Sequence, residues 1–447
     1  MIQFPIWLGW LVLGLGMVLY FIFLISLIFE RENRAFGIGL ITLVPLCALL
    51  MGYFLLPPSY QSAGSAVLTL VAVIVLICLI RPVKLGDPGR ITGEMQRYDE
   101  RDTILARWRY ESGTEQYETY YTAHPEKKAL DDDIRRRPRM FLPGGKLFDP
   151  HLARVGMMSF DLLHRLSSRA DGPVAPDKAE FDPNEMSANL SRAALALGAC
   201  HAGTAKLNPA FVYSHTGRGI DPWGKPIETS HKYALAFTIE MAYSLVRKSP
   251  HFETTVETGR RYVEGAVIAN ILAGYIRSLG YSARAHNEGS SYQTILPPIA
   301  EDAGIGEIGR MSILMTEDLG PRIRLGVVTT DMPLVASGPK RFGAIPFCEV
   351  CQKCAISCPS GAISKGPRET VNGAKTWKIN PEACYRTWRI LGTDCNVCMS
   401  VCPYSKPDTM AHRFVRAAIK RTAMARYVAV WADDLFYGRQ KKLQDKR

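Results

Sequence analysis

The chain is short of charge where it begins. No charged side chain precedes Glu30, and residues 5–29, 36–56 and 64–80 contain no His, Asp, Glu, Lys or Arg. Without a basic leading region or a twin-arginine pair, the first run does not read as an export leader, and it is too long for a signal-peptide core. Without ionisable residues inside the apolar runs, a haem or proton path through them has no ligands to use. The chain also lacks a nucleic-acid motif, although 54 Lys and Arg against 42 Asp and Glu leave a formal net charge of +12. The basic run Arg135, Arg136, Arg137 and Arg139 reads as a solvated or membrane-facing stretch. No internal repeat is visible beyond two cysteine runs. Outside those runs only Cys47, Cys78 and Cys200 occur, the first two in apolar surroundings that suit small buried side chains.

What is present first is three spans' worth of apolar sequence. Residues 5–29 and 36–56 are long enough to cross a bilayer, and 64–80 is at the short end. Three retained helices follow, acting as an anchor in the lipid bilayer. The first connector carries Arg31 and Arg34, the second carries no charge, and Arg81, Lys84 and Arg90 follow the third span. With three spans, the first connector and the rest of the chain share a side. The excess of positive residues places that side in the cytoplasm and the N-terminus outside, in a multi-pass protein of the cytoplasmic membrane.

Near the other end lie eight of the eleven cysteines. Cys348, Cys351, Cys354 and Cys358 read C-x2-C-x2-C-x3-C and are followed by Pro359. Cys384 stands apart, and Cys395, Cys398 and Cys402 read C-x2-C-x3-C before Pro403. The first run is the spacing of two-cluster bacterial ferredoxins, in which the fourth cysteine crosses to the other cluster. The expected assignment is two [4Fe–4S] clusters. Cys348, Cys351, Cys354 and Cys402 hold one; Cys384, Cys395, Cys398 and Cys358 hold the other. Disulfides would need an oxidising compartment, and zinc favours paired knuckles of four ligands.

Between anchor and cysteines the pattern alternates. Residues 86–150 are charged and rich in Arg and Tyr, and read as a linker and irregular cap. Residues 184–199 form an amphipathic helix with Ser187 or Asn189 near its start. The run within 232–243 suits a buried strand, 258–279 is a long helix closed by Gly280, and 325–330 is another strand. Helices alternating with buried strands imply an α/β core. A basic helix over 409–437 could pack on the core or lie near the membrane. The expected domains are the anchor (1–82), linker and cap (83–181), α/β core (182–340), ferredoxin-like module (341–408) and C-terminal helix and tail (409–447).

Several phrases, in order, resemble the reductive dehalogenases, corrinoid- and iron–sulfur-dependent enzymes. They are Lys232-Tyr233-Ala234 with Glu240-Met241, the run from Tyr275 to Tyr281, and Ala303-Gly304-Ile305-Gly306-Glu307-Ile308-Gly309-Arg310. Gly320-Pro321-Arg322-Ile323-Arg324, Thr330-Asp331-Met332-Pro333-Leu334, both cysteine runs and the run from Asp433 to Gly438 complete them. The resemblance covers roughly residues 182–438. It implies a nitroreductase-like α/β core that binds a base-off corrinoid (cobalamin), followed by the ferredoxin-like module. The implied reaction replaces halide by hydrogen on an organohalide, using two electrons and a proton.

In that family a tyrosine supplies the proton, with a nearby cation lowering the cost of its phenolate. By position Tyr262 resembles it, with Arg324 or Arg322 as partner and Asn287 helping to hold substrate or halide. Tyr281 and Tyr292 are rival phenols. Gly304, Gly306 and Gly309 spell G-x-G-x-x-G, but the preceding segment is no buried strand and no acidic partner follows at dinucleotide spacing. They are expected to let backbone approach the corrinoid. His201, His215, His231 and His286 could ligate cobalt, although the family leaves that position open. The resemblance departs in carrying its own spans and in lacking appended reductase domains. An external low-potential donor is therefore expected: a ferredoxin, a flavodoxin or a quinol-linked protein. The alternatives are a corrinoid reductase of another substrate, in the manner of the epoxyqueuosine reductases, and a membrane-bound iron–sulfur electron-transfer subunit.

Overall fold

The computed structural model describes residues 4–81, 85, 90–219, 221–287 and 291–441. Three helices open the chain: α1 (Ile6–Glu30), α2 (Asn33–Phe54) and α3 (Pro58–Ile80). At 25, 22 and 23 residues, each reaches roughly 33–38 Å at the helical rise, enough for a hydrocarbon core of about 30 Å. All three are apolar enough to cross a membrane. Cys47 was expected to be buried, but it is exposed, because a three-helix cluster leaves most side chains on its outside.

The chain divides into two compact units. The larger comprises residues 87–345, 352–405 and 442–447. Its first part was read as linker and irregular cap, but it is helical, with α4 (Glu115–Ala123), α5 (Pro125–Arg136) and α6 (Pro150–Ser167). Its small core is aromatic: Tyr110, Tyr117, Tyr120 and Tyr121 are buried together with Ala106. The phenol oxygens are met by acidic side chains, Tyr120 by Asp102 at 2.7 Å and Tyr121 by Asp131 at 2.8 Å. These polar partners hid the core from a hydrophobicity reading.

Next come α7 (Pro183–Ala196) and six strands, with the long helix α8 (Phe252–Ser278) between the second and third. The start of α7 is set by Asp182, whose carboxylate accepts from the amides of Asn184 and Glu185, rather than by Ser187 or Asn189. Strands β1 (His201–Lys206), β2 (Tyr233–Glu240), β3 (Ala283–His286) and β6 (Ile323–Thr330) form one sheet in the order β1-β2-β6-β3. Every pairing in it is antiparallel. Strand alternation gives the sheet two apolar faces. Leu235, Phe237, Ile239, Ala285 and Val328 pack with Ile268, Ala269, Leu272 and Ile276 of α8, and Ala234, Ala236, Ile323 and Val327 face the other core. Phe237 lies opposite Gly326, where a Cβ would come within 2.2 Å of the ring. Glycine there makes room for the phenyl group. The short strands β4 (Glu307–Ile308) and β5 (Leu314–Met315) pair with each other.

Helix α9 (Pro381–Leu391) carries Cys384. The cap holds it at three points: Arg107 to Glu382 at 2.7 Å, Arg386 to Asp133 at 2.8 Å, and Arg389 to the Pro138 carbonyl at 2.7 Å.

The smaller unit gathers residues 1–86, 346–351 and 406–441. The single basic helix expected over 409–437 is two helices, α10 (Met410–Arg421) and α11 (Ala423–Tyr437), broken at Thr422. Thr422 leaves the helix (φ −133°, ψ 144°) and its hydroxyl caps α11 through the Ala425 amide. Both helices pack on the opening ones, α10 on α1 and α3, α11 on α2.

Candidate active site

Arg324 is the second residue of β6 and points to the α8 side of the sheet, as Gly326 and Val328 do. Tyr262 lies on α8, one helical turn after Thr258. The Arg324 guanidinium stands 5.1 Å from the centre of the Tyr262 ring, and both residues line one cavity of about 240 Å³ with Tyr292, Arg218, Leu296 and Ile313. Phe160 of α6 meets the Tyr262 ring edge-on at 6.3 Å.

Arg324 is held by a buried set that sequence reading did not find. Its guanidinium donates to the Thr258 hydroxyl at 2.8 Å and lies 3.7 Å from Asp394. Asp394 accepts from Thr258 at 2.6 Å and from Thr255 at 2.7 Å, and the Asn396 amide reaches Thr258 at 3.3 Å. Asp394 and Asn396 flank Cys395, so the loop carrying that cysteine is bonded directly to the helix carrying Tyr262. No local spacing signals this, since the partners come from three distant segments.

None of the eight cysteines of the two runs is in a disulfide, and most are buried. Burial pushes the Cys384 thiol up to about 11 and the Cys395 thiol up to about 12, with Cys358 adding to both. The Cys398 thiol is raised well above its ordinary value by burial, and then by Cys395, Cys384, Cys354 and Cys358. Cys358 of the upstream run therefore stands within electrostatic reach of Cys384, Cys395 and Cys398, as Cys354 does of Cys398. The gathering is looser than one ion needs. Among the described residues no three His, Cys, Asp or Glu side chains are set to hold a single metal ion, whereas a cubane cluster takes one thiolate at each separate iron. The donor set fits such a cluster.

A second cavity of about 360 Å³ shares Ile295 and Pro297 with the first. Its walls combine Phe211, Trp377 and Ile345 with Arg90, Arg368 and Lys375. Its walls are apolar with cations at intervals, of which Arg90 is paired with Glu301.

The other predicted residues fall elsewhere. Arg322 is buried, bonded to the Ser405 carbonyl at 2.7 Å, to Glu240 and to the Met241 carbonyl, and is not among the residues lining the Tyr262 cavity. Asn287 directly follows β3. Its amide nitrogen lies 3.4 Å from Asn270, and its buried Oδ1 has no hydrogen-bond partner among the described residues. Asn270 is two turns along α8 from Tyr262, about 12 Å. Tyr281 donates to the Ala179 carbonyl at 3.0 Å, whereas Tyr292 stays in the cavity with Arg218 5.5 Å from its ring centre.

In the glycine run, a Cβ at Gly304 (φ +73°) would meet the Gly338 carbonyl at 2.4 Å, and one at Gly306 the Met315 carbonyl at 2.1 Å. Packing of the chain on itself demands glycine at both, independently of any ligand. Between Gly306 and Gly309, Glu307 accepts from the amides of Phe342, Gly343 and Ala344 at 2.8–2.9 Å. This anchors the start of the helix Ala344–Cys351.

His286 and His231 share the Thr329 hydroxyl, at 2.9 and 2.8 Å. The Gln293 amide donates to His286 Nδ1, so Nε2 carries the proton. Burial lowers both imidazoles, His286 well below its ordinary value, with the Arg284 charge as the next cause there. The folded form binds these protons more weakly than the unfolded chain, so their contribution is present above pH 6.5 and is lost as pH falls below it. Unfolding of the detergent-solubilised protein should shift to lower temperature from pH 7 to pH 5, and His286→Gln should flatten the slope. An unchanged slope would assign the effect to other groups.

A domain family described as 4Fe-4S dicluster domain matches residues 347–406. The chain is 31% identical over 311 residues to a tetrachloroethene reductive dehalogenase of Desulfitobacterium hafniense, covering 59% of this chain and 55% of that protein. It is 30% identical over 299 residues to the tetrachloroethene reductive dehalogenase of Sulfurospirillum multivorans, covering 59% of each. The solved catabolic reductive dehalogenase NpRdhA, in complex with 3-bromo-4-hydroxybenzoic acid, matches with a TM-score of 0.64 at 25% identity, over 80% of this chain and 49% of that one. The chain thus spans roughly half the length of these relatives. Sequence and fold agree that the chain is similar to the reductive dehalogenases over the part it shares with them.

Proposed function

We propose that the protein is an oxidoreductase that replaces halide by hydrogen on a small organohalide, R–X + 2e⁻ + H⁺ giving R–H + X⁻. The observation that carries this reading is the junction at Thr258. One hydroxyl joins the cation beside Tyr262 to the loop of Cys395, so the proton source is tied directly to a segment that carries a cluster cysteine. Tyr262 is the proton donor. Arg324, over its ring, stabilises the phenolate left behind, and the buried Asp394 carboxylate fixes the guanidinium. Two [4Fe–4S] clusters, held in the crossed arrangement of ferredoxins, relay electrons from an external ferredoxin, flavodoxin or quinol-linked protein.

A base-off corrinoid completes the site. Phe211, Pro297 and Trp377 would line its ring, and Arg90, Arg368 and Lys375 would meet its phosphate. When bound it supplies a strongly reduced cobalt able to break a carbon–halogen bond. The relatives' named compounds, tetrachloroethene and a bromophenol, set the substrate class, and a cavity of about 240 Å³ suits molecules of that size. Helices α1–α3 anchor the enzyme in the cytoplasmic membrane, with the catalytic part in the cytoplasm.

Anaerobic protein produced with added cobalamin should contain about eight irons and one cobalt per chain and release halide from halogenated phenols or alkenes. Eight irons without cobalt, after reconstitution, would instead make it an electron-transfer subunit.

A further inference from the structure

We infer that α10 and α11 form a lipid-docking hairpin that lies in the headgroup layer of an anionic bilayer. The inference rests on the reading of α1–α3 as membrane spans, and it adds a second, interfacial mode of attachment. Its first support is an outward apolar face. Met410 and Phe414 on α10, and Met424, Tyr427, Val428 and Trp431 on α11, are exposed, Met424 at 72% and Trp431 at 66%. They recur at three- and four-residue intervals, which puts them on one stripe of each helix. His412, Ile419 and Asp433 are buried on the inner side. Tyrosine and tryptophan in such a stripe suit the headgroup level, where one end of the ring is apolar and the other wet.

Charge is the second support. Residues 406–439 hold seven Lys and Arg against three Asp, and α10 itself has no acidic residue. Asp408 pairs with Arg413 and Arg416. Lys420, Arg421 and Arg426 extend the basic border along the apolar stripe. This combination of apolar stripe and basic border is complementary to anionic lipid.

The third support is continuity with the spans. Phe436 meets Phe23 edge-on at 5.0 Å. Glu30, the last residue of α1, bonds His412 at 2.9 Å and Tyr437 at 3.1 Å. Lys406 pairs with Asp433 beneath the hairpin. The pair is thus fastened at the end of the spans where a bilayer surface begins, and its apolar stripe continues a surface already turned to lipid. A soluble partner would have to compete with the membrane for that stripe.

The test uses full-length protein, with its clusters, in nanodiscs of phosphatidylcholine and phosphatidylglycerol with or without brominated acyl chains. Comparison with Trp431→Phe isolates the Trp431 emission. The expected result is loss of that emission with bromolipid, greater for shallow than for deep bromines, and protection from acrylamide in the water phase. Lys420→Glu/Arg421→Glu should weaken the quenching in phosphatidylglycerol discs. Quenching by acrylamide alone would leave the stripe in water. Shielding from both quenchers would mean that a second copy or another protein covers it. Either result overturns the inference. Alkaline carbonate extraction separates this from failure of the spans. Release of the chain sinks both readings, while retention with Trp431 unquenched by lipid sinks only the hairpin.

Discussion

Tyr262→Phe is expected to lower kcat by about 10²–10⁴-fold, the range supplied by a positioned general acid, with iron and cobalt content unchanged. Phenylalanine keeps the ring that faces Arg324 and the edge contact with Phe160, so only the hydroxyl is lost. KM should move little, because proton donation acts in the transition state rather than in binding. Arg324→Gln should lower kcat too, but also disturb the Thr258–Asp394 set, so the phenylalanine variant is the cleaner test. Tyr292 is the built-in control. It lines the same cavity with its own guanidinium, that of Arg218. Wild-type turnover by Tyr262→Phe together with an inactive Tyr292→Phe would transfer the acid role to Tyr292.

Some of this site is legible in sequence and some is not, for physical reasons. The iron–sulfur domain is legible because neighbouring thiolates that share one cube from a short piece of chain require C-x2-C steps. The spans are legible because a bilayer sets a minimum apolar length. The strands β2 and β6 were visible as apolar runs, since both faces of the sheet are covered. The cap was not, because its core is tyrosine satisfied by aspartate and arginine, a composition that resembles solvated loop. Nor was the break at Thr422, where one residue leaves helical geometry without glycine or proline. The meeting of Tyr262 with Arg324 rested on family likeness alone, because α8 and β6 come together only through the shared core. The glycine run shows the opposite hazard. A ligand-binding role was the natural reading of Gly304 and Gly306, yet close approach of the chain to itself already accounts for both.

The crossed cluster assignment yields the other large effect. Cys358→Ala is expected to remove the same cluster as Cys384→Ala, although Cys358 belongs to the upstream run, and Cys402→Ala should remove the other. Each single variant should fall from about eight irons to about four and lose turnover, because a relay with one station missing cannot pass both electrons. Double variants separate the arrangements. If Cys358 and Cys384 serve one cluster, their double variant should retain the same four irons as either single, since the second change acts on a site already empty. If the assignment is uncrossed, that double variant should lose nearly all its iron, and Cys354→Ala/Cys358→Ala should keep half. Cys358 adds to the rise of the Cys384, Cys395 and Cys398 thiols, but Cys354 adds to that of Cys398 as well, so the double variants decide. Because Asp394 and Asn396 tie the Cys395 loop to Thr258, loss of this cluster, rather than of its companion, should also alter the environment of Tyr262. A change in tyrosine fluorescence or corrinoid absorbance in Cys358→Ala, absent from Cys402→Ala, would place the cluster of Cys358 next to the reacting centre. The reverse result would put the other cluster there and make Thr258 a structural tie only.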